Sequence, residues 1–133
     1  MAQKYIIGDL IKYKVGGLEF IAEITNTSKY GYCFEGVSDD ISGTLCKEFA
    51  KDIPLAPEIL EKNGWYGATH SKQSDDTTKI LYKTFKRKGY PTIKVSQDLK
   101  ITCELSPFIV KLESVSDLQH LLFGLGINHE MEV

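Results

Sequence analysis

Residues 10–25 read Leu10-Ile11-Lys12-Tyr13-Lys14-Val15-Gly16-Gly17-Leu18-Glu19-Phe20-Ile21-Ala22-Glu23-Ile24-Thr25. Leu18, Phe20, Ala22 and Ile24 fall at every second position, the period of a strand with one buried face. Glu19 and Glu23 take the other face, with apolar Ile21 between them. Leu10 to Val15 alternates apolar and basic residues in part. Gly16-Gly17 supplies two residues free to take positive φ, the signal of a two-residue hairpin. An antiparallel sheet therefore begins here.

Further strands follow at short intervals. Asn26 to Lys29 carries a turn, Tyr30 to Glu35 a third strand, Gly36 to Gly43 a polar loop, and Thr44 to Ala50 a fourth strand. This spacing predicts a small, curled antiparallel sheet of SH3-like barrel type. Ile53-Pro54-Leu55 leaves it. Pro57 suits a first helical turn, Glu58 the positive end of the helix dipole, and Gly64 a helix stop, so a short joining helix runs from Pro57 to Asn63. Ile59 and Leu60 are its core contacts. His70 to Asp76 is polar and reads as an exposed loop.

Thr78 to Phe85, Thr92 to Ser96, Leu99 to Leu105 and Phe108 to Glu113 read as a second antiparallel sheet, with a hairpin tip at Lys86 to Pro91. Ser116-Asp117-Leu118-Gln119 fits a capping box with Ser116 as N-cap. Leu118, Leu121, Leu122 and Leu125 then form one apolar helical stripe. This C-terminal helix is expected to pack on the second sheet, with a loose tail from Asn128. The expected fold class is α+β in a single domain over 1–133. Its parts are a barrel-like strand region at 5–52, a joining helix at 53–65, and a sheet plus helix at 66–133.

The 133 residues are 42% hydrophobic and 26% charged, a composition that excludes a disordered chain. No apolar run approaches the ~20 residues of a membrane span. The start of the chain reaches Asp9 without the apolar core of a signal peptide, so a cytoplasmic protein is expected. Cys33, Cys46 and Cys103 are scattered and odd in number, which argues for reduced, mostly packed thiols.

No catalytic or metal-binding motif is present. His70, His120 and His129 show no paired-ligand spacing, and no phosphate-cradling glycine loop occurs. His120 reads as a boundary or surface residue of the C-terminal helix. His70 lies near Ser71 and Asp75-Asp76, but nearness in sequence does not make a triad. Asp39-Asp40 and Asp75-Asp76 carry carboxylates suited to a cation, yet neither has a calcium-loop spacing, and solvated turns explain both. No catalytic residue, metal site or cofactor is expected.

One feature is not generic. The net charge is −2, but residues 79–100 hold Lys79, Lys83, Lys86, Arg87, Lys88, Lys94 and Lys100 against one acid, Asp98. Lys83, Lys86, Arg87 and Lys88 cluster at the hairpin tip with Tyr82, Phe85 and Tyr90 interleaved. Such residues neutralise phosphates and stack on bases. The plainer structural account is a solvated hairpin whose lysines protect a sheet edge and whose aromatic rings are core. An acidic protein surface is a third target.

Three segments resemble small uncharacterised proteins of phages and mobile elements in Bacteroides-type bacteria. Ile7-Gly8-Asp9-Leu10-Ile11 is similar to their IGN-L-V opening. Ile53-Pro54-Leu55, Glu58, Leu60 and Gly64-Trp65 are similar to their PIPLTEEWLLKFGF segment. Leu118, Gln119, Leu121, Phe123 and Leu125 match their closing VHQLQNLYFAL helix. Ala56 stands where the pattern has a capping Thr, and Ser116 where it has His. The resemblance implies an α+β fold, a phage or mobile-element origin and the cytoplasm of a bacterial host. It implies no activity.

The expected function is a non-catalytic binding module, an accessory protein acting on a host protein, with an edge strand open to homo-oligomerisation and no membrane partner. The alternative is binding of nucleic acid or a cyclic nucleotide through the basic hairpin 79–94, including sequestration of a host immune signal. Its site would be Lys83, Lys86, Arg87, Lys88, Tyr82 and Tyr90. A second alternative is an enzyme whose site is assembled from distant loops.

Overall fold

The computed structural model describes residues 4–29, 31–38, 40–74, 77–105 and 108–133, with the backbone alone over 70–81. The chain forms two compact units: Met1–Pro54 with Ser114–Met131, and Leu55–Glu113 with Glu132–Val133. Each is built on a five-stranded antiparallel sheet.

In the first unit, β1 (Leu10–Val15) and β2 (Leu18–Thr27) form the hairpin that Gly16-Gly17 predicts. Val15 pairs with Leu18, and Gly16 takes a φ of +59°, open to glycine without steric cost. β3 (Gly31–Gly36) pairs with β2, and β4 (Ser42–Cys46) with β3. The expected fourth strand ends at Cys46. A one-turn 3₁₀ helix at Lys47–Phe49 then returns the chain so that β5 (Ala50–Lys51) pairs with β1. The order is β4-β3-β2-β1-β5. Among the described residues the two end strands do not pair, so the sheet is not closed into a barrel.

The period-two pattern of β2 is realised. Phe20, Ala22 and Ile24 are buried with Tyr5, Ile11, Tyr13, Tyr32 and Phe34, while Leu18 at the hairpin mouth is exposed. The rings of Tyr13, Phe20 and Phe34 lie 4.8–5.6 Å apart, tilted against one another. Burying a ring of this size contributes roughly 1.5–3 kcal/mol.

In the second unit, α1 (Pro57–Lys62) starts with Pro57 in its first turn, and its Ala56 N-cap makes no side-chain bond. Gly64 follows with a φ of +92°. β6 (Tyr66–Ser74), β7 (Thr77–Lys86), β8 (Ile93–Ser96), β9 (Ile101–Leu105) and β10 (Phe108–Lys111) then form a meander in which each strand pairs with the next. The expected loop at 70–76 is corrected here: residues 70–74 extend β6 beside β7, past a bulge at His70/Ser71. Pairing with a neighbour overrides the weak local pattern of this polar stretch. Asp75-Asp76 and Asp39 lie outside the described residues, as do the side chains of His70 and Ser71.

α2 (Val115–Gly124) requires two corrections. Its N-cap is Ser114, not Ser116. The Asp117 amide donates to Ser114 Oγ at 3.1 Å, and the Ser114 amide donates to Asp117 Oδ2 at 3.1 Å, which completes the capping box two residues early. The helix also belongs to the first unit and packs against β1 rather than on the second sheet. Its buried face is Val115, Ser116, Leu118, Gln119 and Leu122, and Leu125 is exposed. The tail is tied down rather than loose. Met131 is buried in the first unit. In the second, Asn63 exchanges two hydrogen bonds of 2.7 Å with the Glu132 backbone. No helix among the described residues is long and apolar enough to cross a membrane.

Candidate functional site

The second sheet has one buried face and one open face. Phe85, Ile93, Val95, Ile101 and Cys103 are buried. Strand alternation and the observed pairings place Tyr66, Thr84, Lys86, Lys94, Thr102 and Lys111 on the opposite side.

Four of these residues line up. Thr84 pairs with Lys94, Lys94 with Thr102, and Thr102 with Lys111. They form a row of alternating hydroxyl and ammonium groups across β7, β8, β9 and β10. Adjacent strands are about 4.8 Å apart, so Lys94 and Lys111 stand roughly 10 Å from each other. Beside the row, Tyr66 is 80% exposed and pairs directly with Lys86. Among the described residues, Glu104 places an acid on this face, opposite Ile109. A cleft of about 310 Å³ lies at the row's end, walled by Leu55, Leu99 and Leu112 and flanked by Lys100 and Lys111.

The six residues expected from the hairpin do not converge. Lys86 and Tyr82 lie on the open face. Lys94 Nζ sits 4.4 Å from the Tyr82 ring centroid. Lys83 follows the buried phase of Phe85 but is itself exposed, and Lys88 is exposed in the turn. Arg87 and Tyr90 do structural work. The Arg87 guanidinium lies 3.9 Å from the Tyr90 centroid and 5.2 Å from that of Trp65. Trp65 is buried, meets Tyr90 edge-on at 5.2 Å, and donates its Nε1–H to the Pro91 carbonyl at 3.3 Å. Cation–π contact of this kind covers the end of an aromatic core. The residues missed by sequence reasoning are Tyr66, Thr84, Thr102 and Lys111. They sit on four strands, and only the register brings them together.

A second polar cluster lies in the first unit. Asp9 is fully buried, accepts from the Ile6 amide at 2.9 Å, and pairs with His120 Nε2 at 2.6 Å. Burial raises the Asp9 carboxyl above its usual range, against the opposing pull of those two hydrogen bonds. Asp9 Oδ1 has no hydrogen-bond partner. Gln119, also fully buried, accepts from the Leu10 amide at 2.8 Å and donates to the Gly8 and His129 carbonyls at 2.9 and 3.1 Å. These bonds fasten α2 to the chain entering β1.

Cys33 is half-buried, Cys46 exposed and Cys103 buried, and all three are free. Burial raises the Cys103 thiol above its usual pKa. Among the described residues, no group of three or more His, Cys, Asp or Glu side chains could hold a metal ion. No protein-family model, curated protein or solved structure matches the chain.

Proposed function

We propose that this protein is a non-catalytic binding module that holds single-stranded nucleic acid on the open face of its second sheet. The observation that carries this is the Thr84–Lys94–Thr102–Lys111 row beside exposed Tyr66 and Lys86. Ammonium and hydroxyl groups at strand spacing suit a flexible phosphate backbone, and an exposed tyrosine gives a base a ring to stack on. A sheet face of this kind fits unpaired strands, whose bases are free to stack, better than a duplex.

The strand order of the first unit, with a 3₁₀ turn before β5, supports an SH3-like description of that part. The resemblance of three segments to phage and mobile-element proteins supports an accessory role inside a bacterial host cell. An action on a host protein is then the competing reading, in which the same open face meets an acidic surface.

Fluorescence anisotropy tests the proposal, with a labelled 12-nucleotide single strand, the matching duplex and a mononucleotide at low salt. The single strand binds most tightly. A Lys94→Gln, Lys111→Gln double variant weakens it at least tenfold and lowers the slope of log affinity against log salt by about 1.4, the loss of two phosphate contacts. Absence of binding by the wild type, or equal binding by the double variant, removes the proposal.

A further inference from the structure

We infer that a second copy of this chain adds to the free edge of β10, joining two second-unit sheets into one continuous sheet. β10 ends the strand order β10-β9-β8-β7-β6, and its partner along the other side is open among the described residues. Phe108 and Ile109 are 69% and 67% exposed on opposite faces of this strand. An unblocked edge with large apolar side chains is a template for strand addition.

The backbone is directed for it. The Leu112 amide donates inward to the Ile101 carbonyl at 2.9 Å. Antiparallel alternation then turns the N–H and C=O groups of Val110 toward β9 and those of Ile109 and Lys111 away from it. A two-fold axis normal to the sheet keeps each face on its own side, so a residue pairs only with one of the same phase in the second copy. The register centred on Ile109 sets Ile109 against its counterpart through two outward hydrogen bonds. It also sets Phe108 against Val110 of the second copy. These are apolar cross-strand pairs.

Charge selects this register over its neighbour. Sliding toward the C-terminus by two residues on each strand would bring Lys111 against Lys111. In the register centred on Ile109, the two lysines are four residues apart along the seam, so like charges are separated. The seam is short, at the lower end of interface sizes, so the dimer is a weak one that forms at high protein concentration.

Sedimentation equilibrium over a wide concentration range tests this with the full chain. The wild-type mass rises from 15.0 kDa toward twice that value. Ile109→Lys raises the dissociation constant at least tenfold, whereas Ile7→Lys, at an exposed apolar position of the first unit, leaves it unchanged. Lys111→Pro is the second variant. It removes an outward amide, and edge strands accept proline where that N–H faces solvent. Trp65 fluorescence reports whether each variant is folded. A wild type that stays monomeric throughout overturns the inference. So does a folded Ile109→Lys or Lys111→Pro variant that dimerises like the wild type.

Discussion

The two sheets have the same number of strands and use their polar residues in opposite ways. In the first unit the decisive polar groups are inside. Gln119 and Asp9 are fully buried and bind backbone groups of the segment entering β1. In the second unit the buried residues of the sheet, Phe85, Ile93, Val95, Ile101 and Cys103, carry no charged or hydroxyl group, and Thr84, Lys94, Thr102 and Lys111 stand on the open face. Buried polar groups specify one arrangement because any other leaves them unsatisfied. Partly exposed ones at regular spacing cost little to maintain, because water satisfies what the protein does not. The first unit is thus built for a fixed internal geometry and the second for contact.

The largest way to break this comparison is Gln119→Leu. The apolar replacement has nearly the right volume but leaves the Leu10 amide without a partner, along with the Gly8 and His129 carbonyls. Each buried orphan costs about 1–3 kcal/mol, and the Leu10 amide is the most enclosed, so a loss of about 3 kcal/mol is expected. Trp65 is the single tryptophan and lies in the second unit, while far-UV circular dichroism follows both. In urea, the dichroism transition moves to lower denaturant and the Trp65 fluorescence transition holds its midpoint. An equal shift of both signals would mean that the units unfold as one.

The same contrast explains what could be read from the sequence. The β1–β2 hairpin was legible because its signals are local: a period of two and a glycine pair. The course of α2 was not. Gln119 lies 109 residues from Leu10, and nothing local shows that a glutamine inside a leucine stripe faces inward. Both sheets offered an apolar face, so the helix's destination was undetermined. The Ser116–Gln119 spacing pointed to Ser116 as the cap, whereas the Asp117 carboxylate closes the box on Ser114 two residues earlier. The candidate site failed in the same way. A basic run is visible in sequence, but Lys86 ends β7 on the open face while Arg87, just past the strand, turns onto Trp65 and Tyr90. The Thr84–Lys94–Thr102–Lys111 row exists only through three strand registers.

Arg87→Ala sharpens the division within the second unit. The guanidinium covers Trp65 and Tyr90, and its removal costs about 1 kcal/mol through lost cation–π and stem packing. Single-strand affinity changes by less than twofold, because Arg87 is not on the open face. Lys86→Gln gives the reverse pattern: stability within about 0.5 kcal/mol and a several-fold weaker complex. Urea unfolding and anisotropy on the two variants check both halves. A complex weakened equally by each would return the site to the hairpin tip.

The smallest effect tests whether polar contacts at the margin of the first unit matter as the buried ones do. The Tyr5 hydroxyl donates to Asp52 Oδ1 at 2.7 Å, and Lys4 Nζ donates to Oδ2 at 3.0 Å. Partial burial acts to raise the Asp52 pKa, but the two donors together outweigh it and hold the carboxyl below its usual range. A carboxyl depressed on folding stabilises above its unfolded pKa, and that stabilisation fades as pH falls through the folded value. The Asp52 side chain is 40% exposed, so screening keeps the contribution under about 1 kcal/mol. Tyr5→Phe retains the buried ring and removes the donor. It therefore costs about 0.5–1 kcal/mol at pH 7, and the deficit narrows below pH 4 as Asp52 protonates. Paired urea titrations at pH 7 and pH 2.5 measure this. A deficit of the same size at both pH values would show that Tyr5 acts through packing alone.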